Sequence, residues 1–169
     1  MFLDPRRFEF ADRLEQGWRE IQREALALRE DDFFPWYDQG AYSGEWSVCG
    51  VHAGDHEEGH RLSQDVVRRC PYTVELVQRI PGLKLAAFSR LGPGTIIHPH
   101  ADGGPRALRC HLGLTVPKGC TFQVAEAVAS WEEGRCLLFD THVVHAAWNS
   151  SQERRLVLIV EVDPATWNA

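Results

Sequence analysis

Positive charge is in short supply in this chain. Lys and Arg number 18 against 24 Asp and Glu, for a formal net charge of −6 at pH 7. Phosphate backbones are held by clustered Lys and Arg, so no nucleic-acid partner is expected. A few arginines lining a pocket still leave room for a small anionic substrate. Long apolar runs are also missing, and Met1-Phe2-Leu3-Asp4-Pro5-Arg6-Arg7 lacks the apolar core of a signal peptide; no membrane partner is expected. The five cysteines, at positions 49, 70, 110, 120 and 136, are odd in number and show no C-x-x-C spacing. That argues against a disulfide framework and predicts reduced thiols in a cytoplasmic protein. Internal repeats, low-complexity tracts and a recognisable linker are absent, and 169 residues suit one domain with a real core.

What is present divides near residue 82. Leu14, Trp18, Ile21, Ala25 and Leu28 recur at helical spacing among Arg, Glu and Gln, which predicts one amphipathic helix. Residues 33–51 are aromatic and Gly-punctuated, as short strands and turns would be. Leu62, Val66 and Val67 suit a second helix stopped by Pro71, and Tyr72 to Ile80 a third, closed by Pro81-Gly82. From there the pattern is strand-like: residues 83–91, 108–116, 121–124, 136–139, 143–148 and 155–162, separated by Gly, Pro and polar turns. The expectation is an α+β, mainly β domain. Residues 1–81 form its helical and aromatic part, and 82–163 a sandwich or barrel core on which the helices pack.

His98-Pro99-His100-Ala101-Asp102 and the later His145 are the residues with most chemistry to offer. Pro99 is not tolerated inside a central strand, so this stretch is expected at a strand end or barrel rim, where pockets open. Two imidazoles and a carboxylate on one face of an iron(II) ion leave three neighbouring positions open for oxygen chemistry. Taken singly, an H-x-D pair is as well explained by a surface ion pair, and His145 by a packed histidine. A rival motif, His56-Glu57-Glu58-Gly59-His60, satisfies the H-E-x-x-H zinc-protease pattern. That motif needs a robust helix with an apolar face. Gly59 weakens the helix here, and no apolar residue lies between His52 and Leu62 apart from Ala53, so a solvated acidic segment is the better reading.

Across residues 70–163 the chain resembles the aspartyl/asparaginyl β-hydroxylase family. The likeness runs, in order, through Cys70-Pro71-Tyr72-Thr73, Ile80-Pro81-Gly82, Phe88-Ser89-Arg90-Leu91-Gly92-Pro93-Gly94-Thr95 and His98-Pro99-His100. It continues through Leu108-Arg109-Cys110-His111-Leu112-Gly113-Leu114, Trp131-Glu132-Glu133-Gly134, Leu138-Phe139-Asp140, His145-Ala146-Ala147-Trp148 and Arg155-Leu156-Val157. The resemblance implies a cupin-like double-stranded β-helix, or jelly roll, that uses Fe(II), O2 and 2-oxoglutarate as co-substrate. It assigns His100 and His145 to iron, and Arg155, helped by Ser89, to the distal carboxylate of 2-oxoglutarate. His111 is assigned to the co-substrate and Arg109 to a carboxylate of the amino acid being hydroxylated.

The residues are consistent with these roles. A guanidinium pairs with a planar carboxylate in bidentate register. Arg109 and His111 share a strand face, with Gly113 leaving space beside them. His98 is expected to back the metal site or face substrate; Trp148 and Phe139 are candidate apolar walls, with a place in the core the favoured reading for both. Where vertebrate-type members carry glycine, this chain has Asp102; bacterial relatives often keep H-x-D. Asp102 is therefore expected to complete a three-residue iron site, the alternative being a turn cap at Asp102-Gly103-Gly104. The implied activity is hydroxylation of an unactivated carbon, the β-carbon of an Asp or Asn residue in a peptide or a related small carboxylate. Two alternatives stand beside it: a hydroxylase of a free amino acid (proline-type) or of a lipid acyl chain, and a non-catalytic cupin-like binding module.

Overall fold

The structure, a computed structural model, describes residues 1–52 and 64–167. The His56–His60 motif and Leu62 lie outside the described residues. In chain order come α1 (Glu9–Gln16), α2 (Trp18–Leu26), β1 (Phe34–Pro35), β2 (Tyr42–Ser43), β3 (Trp46–His52), α3 (Gln64–Arg69), α4 (Pro71–Gln78), β4 (Leu83–Leu91) and β5 (Ile96–His100). Then follow β6 (Leu108–Thr115), β7 (Cys120–Val124), β8 (Ala127–Ala129), β9 (Cys136–Asp140), β10 (His145–Asn149) and β11 (Arg155–Val162).

Among the described residues the strands make two antiparallel sheets, β1-β3-β4-β11-β6-β9 and β2-β5-β10-β7-β8. The larger sheet is buried on both faces, and alternation along its strands sorts the residues. Leu156, Leu158, Val160 and Val162 of β11 join Leu108, Cys110, Leu112 and Leu114 of β6 in a core shared with Leu14, Ile21 and Ala25 of the helices. Val157 and Ile159, one residue out of phase, join Phe122, Trp131, Phe139 and Ala147 in a second core. Phe122 and Ala147 belong to the smaller sheet, so this second core lies between the sheets. Double burial explains why β11 reads as an unbroken apolar run, Leu156-Val157-Leu158-Ile159-Val160. The fold is the mainly β, double-stranded β-helix expected, with helices packed on one sheet.

Several expected boundaries move. The single helix over residues 14–28 is two helices broken at Gly17, where a Cβ would stand 2.6 Å from the Tyr72 hydroxyl. Close approach of α4 thus sets the break. Residue 82 does not separate helices from sheets, because β3 pairs with β4 and β2 with β5. Pro99 sits within β5, just where the β5–β10 register slips between His145↔His100 and Ala147↔Ile97. β2 pairs only with Ile96 and Ile97, so Pro99 interrupts no ladder on that side.

Candidate active site

Alternation in the larger sheet places Ser89 (β4), Arg109 and His111 (β6), and Arg155 and Glu161 (β11) on the face toward the smaller sheet. The smaller sheet supplies His100 and His145, directly paired across β5 and β10. Asp102 follows β5, its backbone N–H donating to the Thr141 carbonyl at 2.9 Å.

His100, Asp102 and His145 offer three ligand atoms that all lie within 4.8 Å of one another. The Nε2 atoms of His100 and His145 stand 3.5 and 3.7 Å from Asp102 Oδ1. Carbonyl oxygens fix both tautomers. His100 Nδ1–H donates to the His98 carbonyl at 2.7 Å, and His145 Nδ1–H to the Val143 carbonyl at 2.9 Å. Each ring therefore turns its Nε2 lone pair toward Asp102, the orientation a metal requires. His145 Nε2 is buried without a hydrogen-bond partner. Burial, with the Arg109 charge behind it, lowers His145 to about 4, so the ring is neutral. Burial pushes Asp102 upward, but the neighbouring His100, Arg109 and His145 outweigh that and bring it to about 2. His100 is raised, chiefly by Asp102. Two imidazole nitrogens, one of them without a partner, and a carboxylate oxygen fit a divalent ion. Asp102 aims its side chain at this cluster and at Arg109, not along the turn after it.

Arg155 is 2% exposed, and no carboxylate pairs with it among the described residues. Its Nε lacks a partner, and its guanidinium lies 4.7 Å above the Trp131 ring. Burial lowers it to about 10, leaving it charged at neutral pH. His111 is also buried, with Nε2 unpartnered, while its Nδ1 accepts from Trp131 Nε1 at 3.3 Å. Burial, then the Arg155 charge, lowers His111 well below the ordinary histidine value. Ser89 Oγ accepts from Trp46 Nε1 at 3.1 Å, leaving its own proton to donate. A buried cation with no counter-charge and an orphaned imidazole are what an absent anion leaves behind. The dianion 2-oxoglutarate fits this donor set. Phe122 and Phe139 pack against both His111 and His145, tying this pocket to the three-residue cluster.

A cleft of about 790 Å³ opens beside the cluster, lined by His98, His100, Asp102, Arg109 and Glu161 and walled by Trp36 and Tyr37. Arg109 does not offer this cleft an open fork. Its Nε donates to Glu161 Oε1 at 2.8 Å, and its Nη2 contacts both Glu161 and Asp102 Oδ2. His98 contributes its carbonyl to His100, while its own ring bonds Ser43 Oγ at 3.0 Å. Phe139 does wall the site. Trp148 lies one residue out of phase with His145, Ala147 and Asn149, so it is on the other face of β10. Gly113 does not make space for a ligand either, because a Cβ there would overlap the Glu132 carbonyl oxygen. Sequence reasoning missed Glu161, whose signal was a charge in phase with Arg155 inside an apolar strand. It also assigned no role to Trp131.

The sequence model of the aspartyl/asparaginyl β-hydroxylases matches residues 15–164. The human aspartyl/asparaginyl β-hydroxylase is 31% identical over 163 residues, covering 91% of this chain and 21% of that protein. An ornithine lipid ester-linked acyl 2-hydroxylase of Rhizobium tropici is 39% identical over 102 residues, covering 59% of this chain and 36% of the enzyme. The chain thus spans well under half the length of either relative. In fold it is similar to a viral collagen prolyl hydroxylase from Paramecium Bursaria Chlorella virus-1, solved as a 2OG complex. That likeness has a TM-score of 0.55 over 86% of this chain and 90% of that one, at 14% identity. The match runs from within α1 past the end of β11, and the chain belongs to the aspartyl/asparaginyl β-hydroxylase family.

Proposed function

We infer that this chain is an Fe(II)- and 2-oxoglutarate-dependent hydroxylase. One observation carries the reading: a buried arginine, Arg155, that no carboxylate pairs with among the described residues, in the same aromatic-walled interior as the His100–Asp102–His145 cluster. His100, Asp102 and His145 would hold the iron. Arg155 would pair with the distal carboxylate of 2-oxoglutarate, with Ser89 and the Nε2–H of His111 as further donors. When bound, iron and keto acid together activate O2 and supply the oxidant that hydroxylates a C–H bond. The protein orients the co-substrate, keeps the His145 imidazole neutral, and excludes water behind Phe122, Trp131 and Phe139. Substrate enters through the cleft bounded by Trp36, Tyr37 and His98.

The substrate proposed first is a peptide Asp or Asn residue, or a related small carboxylate, oxidised at its β-carbon. A second reading has an observation in its favour. Arg109 is already held by Glu161 and Asp102, so a substrate without a carboxylate at that position, such as an acyl chain or a proline-type amino acid, needs no displacement of Glu161. Succinate formation from 2-oxoglutarate across a panel of Asp/Asn peptides, free amino acids and acyl substrates separates these. Stoichiometric Fe(II) binding with no 2-oxoglutarate turnover under any of them would establish a non-catalytic module instead.

A further inference from the structure

Trp131 touches two of the groups assigned to the co-substrate. Its indole N–H donates to His111 Nδ1 at 3.3 Å, and the two rings lie nearly coplanar, 25° apart with centroids 6.0 Å apart, as an in-plane hydrogen bond requires. Its face lies under the Arg155 guanidinium at 4.7 Å. Indole nitrogen is a donor only, so His111 Nδ1 must be the acceptor. In a neutral imidazole the proton is then on Nε2, the atom that is buried and has no partner. Without the indole N–H the ring could exchange tautomers, turning an Nε2 lone pair toward an incoming anion, or flip about its Cβ–Cγ bond, turning a ring carbon there; either removes the N–H donor.

The position of Trp131 is itself built by the strand that carries His111. Gly113, two residues on along β6, exchanges backbone hydrogen bonds with the segment after Trp131. Gly113 N–H donates to the Arg135 carbonyl at 3.0 Å, and Gly134 N–H to the Gly113 carbonyl at 2.9 Å. Any side chain at Gly113 would collide with the Glu132 backbone. Thus the glycine brings the Trp131 segment against β6, and the tryptophan then sets the imidazole.

We propose that Trp131 is a positioning residue for 2-oxoglutarate: it locks His111 as an Nε2–H donor aimed at the co-substrate while supporting Arg155 from below. This rests on the functional reading above and adds to it how the anion site is pre-organised. Loss of one hydrogen bond to a charged group corresponds to roughly a tenfold weakening. Two measurements test the proposal. In the first, ¹⁵N NMR of histidine-labelled wild-type protein reports the His111 tautomer directly; protonated Nε2 with unprotonated Nδ1 is expected, and the reverse would overturn the proposal. In the second, the Fe(II)-loaded protein is titrated anaerobically with 2-oxoglutarate, following the charge-transfer absorption of the complex. Trp131→Phe keeps a ring under Arg155 and should weaken binding about tenfold. An amide nitrogen needs no tautomer, so in a His111→Gln background the same substitution should cost less than about twofold. Equal losses in both backgrounds, or no loss in either, would show that Trp131 acts only as packing. Absence of the absorption in wild-type protein would overturn the functional reading and this proposal with it, whereas a wild-type signal unmoved by Trp131→Phe would overturn this proposal alone.

Discussion

Asp102 divides its carboxylate between two kinds of partner, Oδ1 facing the imidazoles and Oδ2 held by Arg109. With Oδ2 engaged, only one oxygen is presented to a metal, and the carboxylate's rotation is fixed by a guanidinium that Glu161 fixes in turn. A substitution at Asp102 separates a three-residue site from a two-histidine site. Asp102→Ala should weaken Fe(II) or Mn(II) affinity by more than the ~10–100-fold typical of losing an outer partner of a ligand. Metal titration monitored by calorimetry or, for Mn(II), by electron paramagnetic resonance measures it. Unchanged affinity would mean that His100 and His145 suffice and that Asp102 serves only Arg109.

On the proposed function, Arg155 would carry a stability cost accepted for binding. A fully buried guanidinium that no carboxylate pairs with among the described residues is desolvated with only the Trp131 ring face against it. Arg155→Met should therefore raise the stability of the metal-free protein, by about 1–3 kcal/mol on the scale seen when buried ionic groups give way to apolar ones. The same substitution should abolish 2-oxoglutarate binding. Urea denaturation alongside the anaerobic titration tests both halves. A destabilised variant would imply a counter-charge for Arg155 beyond those described.

How much of this was legible in the sequence follows from how local each signal is. β11 and β6 could be read because burial on both faces leaves an apolar run. The roles proposed for His100, His145 and Arg155 came from ordered resemblance, since nothing in their spacing brings residues so far apart together. The break at Gly17 depends on Tyr72, a partner more than fifty residues away, and no helical period reveals it. β8 is an Ala-Val-Ala edge strand with little strand preference of its own. Arg109 read as an open fork because its cross-strand partner Glu161 lies fifty-two residues on. Gly113 read as space for a ligand, while its actual occupant is the chain's own backbone at Glu132.

Two buried neutral imidazoles give the metal-free protein a defined acid sensitivity. His145 falls from 6.5 to about 4 on folding, and His111 is also lowered well below 6.5 by its burial. Between those values the unfolded chain binds more protons than the folded one, so stability rises with pH there and is lost as pH falls from 6.5 toward 4. For His145 alone the loss is about 3 kcal/mol, at ~1.4 kcal/mol per unit. His100 is raised and opposes this, its contribution being full below 6.5 and lost as pH rises through its folded value. The expected net outcome is a urea midpoint that drops between pH 6.5 and 4, with a shallower drop in His145→Gln. A flat profile in wild-type protein would show that these rings are solvated or already paired.

The helical layer depends on a carboxylate that no catalytic argument requires. Glu24 of α2, 5% exposed, accepts from the backbone N–H groups of Tyr72 and Thr73, both at 2.9 Å, and from Thr73 Oγ at 2.6 Å. These are orphan donors at the first turn of α4, whose preceding residue, Cys70, makes no side-chain cap. The cap is thus supplied by another helix, and the same three bonds hold α2 against α4 over the larger sheet. Glu24→Ala leaves a buried N–H, a partly buried one and a buried hydroxyl unsatisfied and should cost about 2–4 kcal/mol. Glu24→Gln keeps one acceptor oxygen and should recover part of that loss. Because Glu24 is remote from the site residues, 2-oxoglutarate affinity in the folded variants should stay within about twofold of wild type. Thermal melts and anaerobic titrations on both variants check these outcomes. A large affinity loss at unchanged melting temperature would mean that the helical layer reaches the site by a route other than stability.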